Sequence, residues 1–410
     1  MSKKNLTSLT ARLSSGARYS TRGLAVCISF VLAACSAPAV KHEKPVVDEQ
    51  AHRTTTPVPD VTTVVPNLKI AAVGDIMLGT DFPANRLPAE DTSLLAPVSK
   101  LLRQADITFG NLEGVLQDGG EPVKQCSNPK NCYLFRTPTH YAMHLQHAGF
   151  DVLSLANNHA RDFGEDGRDS SMHSLQQAGI AHTGRDGDVA SLTVNGLRVG
   201  VIAFAPYQGS NNMLAQDTVV ERVRVLDANH DVVIVSFHGG AEGADKSRVP
   251  FSREFYHGED RGDVAGFARM VVDAGADLVI GHGPHVPRAL ELYQQRLIAY
   301  SLGNFATYWG INISGPNGLA PILRAELDSE GKFVAGEIVS ARQLRPDGTV
   351  QDDNHTAARM IAELTRADFP DTPLLIDQRG SISVATPSAF SGAPPEKEPA
   401  EISPAIARTE

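Results

Sequence analysis

Six short apolar runs in this 410-residue chain end alike, each delivering a small residue and then an Asp, Glu, Asn or His. Residues 68–73 lead into Gly74-Asp75, 107–109 into Gly110-Asn111-Leu112-Glu113, and 152–155 into Ala156-Asn157-Asn158-His159. Residues 232–237 lead into His238-Gly239-Gly240, 278–280 into Gly281-His282-Gly283-Pro284-His285, and 297–301 into Leu302-Gly303-Asn304. Several of these runs lack polar alternation, as strands covered on both faces do. With a further run at 201–205, they alternate with helix-like stretches at 93–104, 139–148, 167–178, 267–274 and 356–366. That alternation predicts an α/β fold. In open α/β sheets ligands bind beyond the carboxyl ends of the strands, where these polar residues fall.

The donor types narrow the chemistry. Asp, Glu, Asn and neutral His suit borderline or hard divalent ions. No thiolate joins them, which argues against a closed structural zinc site. Two ions about 3.5–4 Å apart, sharing a carboxylate, can clamp the attacking and leaving oxygens of a displacement at phosphorus. Any one strand end also reads as a plain turn, and a lone His as a core residue, so the set carries the metal reading.

Charge sets limits on partners. The net charge is -10, and residues 1–34 hold Lys3, Lys4, Arg12, Arg18 and Arg22 with no acid, so the remainder carries -15. An acidic body excludes nucleic acid as the expected partner. The basic start is followed by an apolar run at 24–34, too short to span a bilayer, which needs about 20 residues. It meets Leu32-Ala33-Ala34-Cys35, a tetrad that resembles a bacterial lipobox, with Cys35 as the acylated residue; the alternative is a plain secretory signal with an incidental cysteine. Ser36 follows, as in lipoproteins sent to an outer membrane. The expected setting is therefore the cell envelope, on the periplasmic side, with the membrane held through the lipid.

The expected organisation is a signal peptide at 1–34, a Pro-rich tether at 35–66, a folded domain at 67–380 and a disordered tail at 381–410. Cys27 is lost with the signal. Cys126 and Cys132 flank a short polar loop, and an oxidising compartment favours a disulfide between them over a metal-binding pair.

The strand-end motifs, taken with Asp162 and Gly164, resemble the CapA family. The matching segments are 74–79 (GDIMLG), 111–114 (NLEG), 154–159 (SLANNH), His238-Gly239, 281–286 (GHGPHV) and 300–305 (YSLGNF). These are capsule or poly-γ-glutamate biosynthesis proteins, related to calcineurin-like metallophosphoesterases, and the resemblance runs over about residues 68–345. It implies a four-layer α/β sandwich, two central sheets flanked by helices. It also implies two divalent metal ions, manganese, iron or zinc. By position, Asp75 matches the first metal ligand and Glu113 a bridging carboxylate. Asn158 and His238 match ligands of the second metal, and His282 and His285 the final histidine pair. His159 matches the histidine that protonates the leaving group, with Asp162 placed to orient it. Two departures accompany the match: Asp75-Ile76-Met77 stands where phosphoesterases carry Asp-x-His, and the last pair reads His-x-x-His. Both are common to CapA-like proteins.

Other residues join the reading. Arg136 and Asn304 are candidates for substrate contact, with a salt bridge and a turn as their alternatives. Glu242, Arg253, Glu259 and Arg261 form a polar loop expected to shape access. His140, His144 and His147 share a helical face that reads better as a solvated stripe than as a metal site. The expected activity is hydrolysis of a phosphoester in capsule or polyglutamate assembly, with capsule-assembly proteins as partners. The alternative is a non-hydrolytic, metal-dependent receptor for an anionic capsular polymer.

Overall fold

A computed structural model of the chain describes residues 67–89, 93–124 and 132–385. The signal, the tether, Cys35 and Cys126 lie outside the described residues, while Cys132 lies within them.

Two sheets form the body. The first has nine strands, among them Leu68–Met77, Ile107–Leu112, Val152–Ser154 and Ala181–Thr183, which lie side by side in parallel. On the other edge of Leu68–Met77 the strands run antiparallel: Ile322–Leu327, Phe333–Val339, Ser381–Val384 and Leu374–Ile376. Asn304–Thr307 pairs with the carboxyl end of Leu68–Met77. The second sheet sets Arg296–Ala299, Leu278–His282, Val232–His238 and Leu197–Phe204 in parallel, with antiparallel Leu290–Tyr293 and Ala190–Val194 at its edges.

The cores explain the layering. Ile70, Phe109 and Val152 from the first sheet pack with Val201, Ile234 and Ile280 from the second in one buried cluster. The opposite face of the first sheet, including Val73, Ile76 and Leu153, packs on helices Ser99–Leu102, Ala142–Ala148 and Gly164–Gln177. The outer face of the second, including Val235 and Val279, packs on Gln216–Asp227 and Val264–Asp273. The central strands are buried along their whole length, as their unbroken apolar runs foretell. The result is the expected four-layer sandwich of two sheets between helices.

One expectation is corrected and one element is added. The strand Ser381–Val384 falls in the segment assigned to a disordered tail, yet it pairs with both Phe333–Val339 and Leu374–Ile376. The helix Gln216–Asp227 did not stand out in the sequence, because only Val219, Val223 and Leu226 are buried among charged neighbours.

Candidate metal centre

The carboxyl ends of the two sheets meet, and the chemistry lies there. Asp75 is buried near the end of Leu68–Met77, with its N–H donated to Gly303 O at 2.9 Å. That approach needs Gly74, since a Cβ there would stand 2.0 Å from the same carbonyl oxygen. Glu113 follows Ile107–Leu112 directly, and its N–H bonds Ile76 O at 2.9 Å. His238 and His282 end adjacent strands of the second sheet and are register partners. Asp75, Glu113 and His238 each offer a ligand atom within 4.8 Å of the other two. His282 Nδ1 is 3.4 Å from Asp75 Oδ1. His285 Nδ1 is 2.8 Å from Asp75 Oδ2, and its Nε2 is 3.6 Å from Glu113 Oε1.

This donor set fits divalent cations. Glu113 Oε1 and both ring nitrogens of His238 and of His282 are buried with no hydrogen-bond partner. Buried polar atoms ordinarily find partners, so convergent orphans of ligating type mark a place for an ion. The charges agree. Burial, the largest influence, and then the neighbouring Asp75 push Glu113 well above the usual carboxylate range. Burial pushes Asp75 the same way, but the close His282 ring and the hydrogen-bonded His285 reverse it and hold Asp75 well below that range. Burial drives His238 strongly toward its neutral, ligating form. Burial also opposes protonation of His285, yet Glu113 and Asp75 outweigh it and push that ring up to about 10. His285 sits at φ 58°, a left-handed conformation that side-chain-bearing residues rarely adopt. Met77 stays out of the set, its sulfur accepting Gly79 N–H at 3.3 Å.

A hydrogen-bonded chain of amides links this centre to His159. Asn111 Nδ2 donates to Asp75 Oδ1 at 2.9 Å and to Glu113 Oε2 at 3.1 Å. Asn111 Oδ1 accepts from Asn157 Nδ2 at 3.0 Å, and Asn157 Oδ1 accepts His159 N–H at 3.0 Å. His159 Nδ1 lies 2.7 Å from Asp162 Oδ2. Asp162 is fully buried and also takes Phe135 N–H at 2.9 Å and an ion pair from Lys124 at 2.9 Å. Burial lowers the His159 pKa, and Asp162 works against that shift.

A cleft of about 260 Å³ reaches the centre and is lined by Glu113, His159 and His285 together with Tyr133, Glu242 and Tyr256. Asn304 is a buried brace: its Nδ2 donates to the carbonyls of His285, Asn312 and Asn317 at 3.1–3.3 Å. Asn158 keeps a buried, unpartnered Oδ1. Arg136, expected at the substrate, is absent from the cleft lining. Its Nε donates to Asp81 at 2.7 Å and its guanidinium lies over the rings of Phe82 and Phe163.

Residues 69–308 match the family described as "Bacterial capsule synthesis protein PGA_cap". The chain belongs to this family. It is 31% identical over 261 residues to the capsule biosynthesis protein CapA of Bacillus anthracis, a match covering 58% of this chain and 59% of that one. To the PGA biosynthesis protein CapA of Bacillus subtilis it is 26% identical, over 58% of this chain and 63% of that one. The chain therefore spans less than two thirds of the length of either relative. Among solved structures, a putative 5'-nucleotidase from Staphylococcus aureus aligns at 16% identity with TM-score 0.39, over 73% of this chain and 58% of that one.

Within this PGA_cap chain, the sequence pattern picked out Asp75, Glu113, His238, His282 and His285, which the structure brings together. It did not single out Asn111 and Asn157, which orient those donors. Both sit inside the recognised motifs, and their polarity within otherwise buried segments was the available signal.

Proposed function

We propose that this PGA_cap protein is a lipid-anchored envelope hydrolase of the metallophosphoesterase type, acting on a phosphoester during capsule or polyglutamate assembly. The observation that carries the reading is the convergence of orphaned Glu113, His238 and His282 atoms beside Asp75 and His285, next to a His159–Asp162 pair at one cleft. Asp75, Glu113, Asn158, His238, His282 and His285 would hold two divalent ions, which supply charge neutralisation at phosphorus and acidify a water. Asp162 fixes the Nδ1 proton of His159 and supports the charged ring, so Nε2 is the atom that exchanges a proton with the leaving oxygen. The capsule setting is supported by the family and by the names of the relatives. The anchor at Cys35 is supported by the tetrad Leu32-Ala33-Ala34-Cys35, and a Cys126–Cys132 bridge by the short polar loop between them.

The test is metal analysis of purified full-length protein, followed by turnover of phosphomonoesters and diesters. Bound manganese, iron or zinc with turnover that Glu113→Gln abolishes supports the reading. Metal-replete protein inert on every ester refutes it. Cys35→Ser should leave an uncleaved precursor or release the protein from membranes, and normally processed variant in the membrane fraction would refute the anchor.

A further inference from the structure

The cleft has a charge character that the metal centre does not explain. Among the described residues lining it there is no Lys or Arg, whereas Glu113 and Glu242 both face it. Glu113 belongs to the centre, but Glu242 does not need to. Glu242 Oε2 lies 3.8 Å from His285 Nε2, so the carboxylate stands beside the centre, in the cleft that His159 also lines. Its other oxygen is held by Arg261 Nη1 at 2.9 Å. That guanidinium is only 3% exposed, also pairs with Glu259 at 3.0 Å, and lies over the rings of Tyr207 and Tyr256. Arg261 therefore fixes Glu242, and because it is shared with Glu259 the three groups together keep one net negative charge.

The wall around Glu242 is fixed as well. Glu254, in the strand Glu254–Tyr256 that carries Tyr256, accepts the N–H of Ala241, the neighbour of Glu242, at 3.0 Å. It also forms a two-pronged pair with the fully buried Arg288, at 2.8 Å on each oxygen. A fixed carboxylate in a partly desolvated cleft repels an anion more than a mobile one in open solvent, because little water or rearrangement screens it. Tyr133, half exposed, and Tyr256 add aromatic surface to the same lining.

We infer that Glu242 makes this cleft selective for phosphoesters whose leaving group carries no negative charge. The inference rests on the phosphoester reading and names the substrate class for it. In the hydrolysis, the water oxygen bonds phosphorus and the ester P–O bond breaks with its electron pair on the leaving oxygen. That oxygen takes a proton from His159, the attacking water gives up a proton that restores His159 by way of solvent, and the products are phosphate and a neutral or cationic alcohol. A polymer with a carboxylate on every residue is the wrong occupant for such a cleft, so polyglutamate would not be what binds there.

The experiment compares phenylphosphonate with 4-carboxyphenylphosphonate, which differ by one distal carboxylate, binding to manganese-loaded full-length protein by calorimetry. The carboxylated probe should bind about tenfold more weakly, a difference of about 1.4 kcal/mol. Glu242→Gln should narrow the gap to under about threefold, while Glu242→Asp, which keeps the charge, should preserve most of it. Glu337→Gln, in the strand Phe333–Val339 and outside the lining, should leave the gap unchanged. Polyglutamate should not displace phenylphosphonate. Equal affinities of the two probes in the parent protein, or a gap untouched by Glu242→Gln in folded protein, would overturn the charge selection while leaving the phosphoester reading intact. If neither phosphonate binds and polyglutamate does, the phosphoester reading itself falls, and this inference with it.

Discussion

Asn111 shows how one amide sets the behaviour of two acids. Its two donated bonds hold Asp75 and Glu113 near each other although each is buried and the pair repels. The strand-end pattern revealed the acids because a charged residue after an apolar run is visible locally. Their partners across the sheet are not visible that way, since Asp75 and His285 lie 210 residues apart. His159 is a simpler case. Its ring pairs with Asp162 rather than with Asp75, Glu113 or His238, so His159→Asn should retain metal content and Tm. It should slow turnover of alkyl phosphoesters by about 10²–10⁴-fold, the usual contribution of a general acid. Nitrophenyl esters, whose leaving groups need little protonation, should be affected far less. A variant that loses its metal would instead place His159 among the ligands, and metal analysis alongside the kinetics decides it.

Among elements, the hairpin of Glu254–Tyr256 and Glu259–Gly262 depends on one buried pair. Arg288→Ala would strand the Glu254 carboxylate without its partner, and a loss of about 3–5 kcal/mol is expected in denaturant unfolding. Replacing both members by apolar residues of similar volume should cost much less. The start of strand Leu278–His282 makes a different prediction. Burial pushes the Asp277 carboxyl up to about 6, against the opposing Val233 N–H and Arg296. The folded state therefore keeps this proton to a higher pH than the unfolded chain does. The associated stability is present below about pH 4 and is lost as pH rises through about 6. Asp277→Asn should flatten the dependence of Tm on pH across that window, and an unchanged slope would show that other groups govern it. The parallel strands were legible because burial on both faces leaves unbroken apolar runs. Ile322–Leu327 and Phe333–Val339 were not, because polar residues interrupt them and their pairing is antiparallel and distant in sequence.

For the whole molecule, the centre exists only where two sheets meet, so metal binding and complete folding are linked. Adding manganese should raise Tm, by an amount that grows with the logarithm of metal concentration above Kd. It should also release protons, His285 foremost, so apparent affinity should fall as the pH is lowered. Pattern and motifs made the fold class and most of the converging side chains readable, while the joining of the two sheets rests on contacts no local segment encodes. The antiparallel edge of the first sheet carries a practical corollary. The family match ends at residue 308, yet Leu68–Met77 pairs over six residues with Ile322–Leu327. A protein cut to the matched segment would keep every proposed metal ligand and still present a raw apolar edge to its neighbours. Residues 67–310 expressed alone should therefore stick together edge to edge, while 67–385 should stay dispersed in light scattering. The recognisable family signature is smaller than the unit that can be cut out and handled.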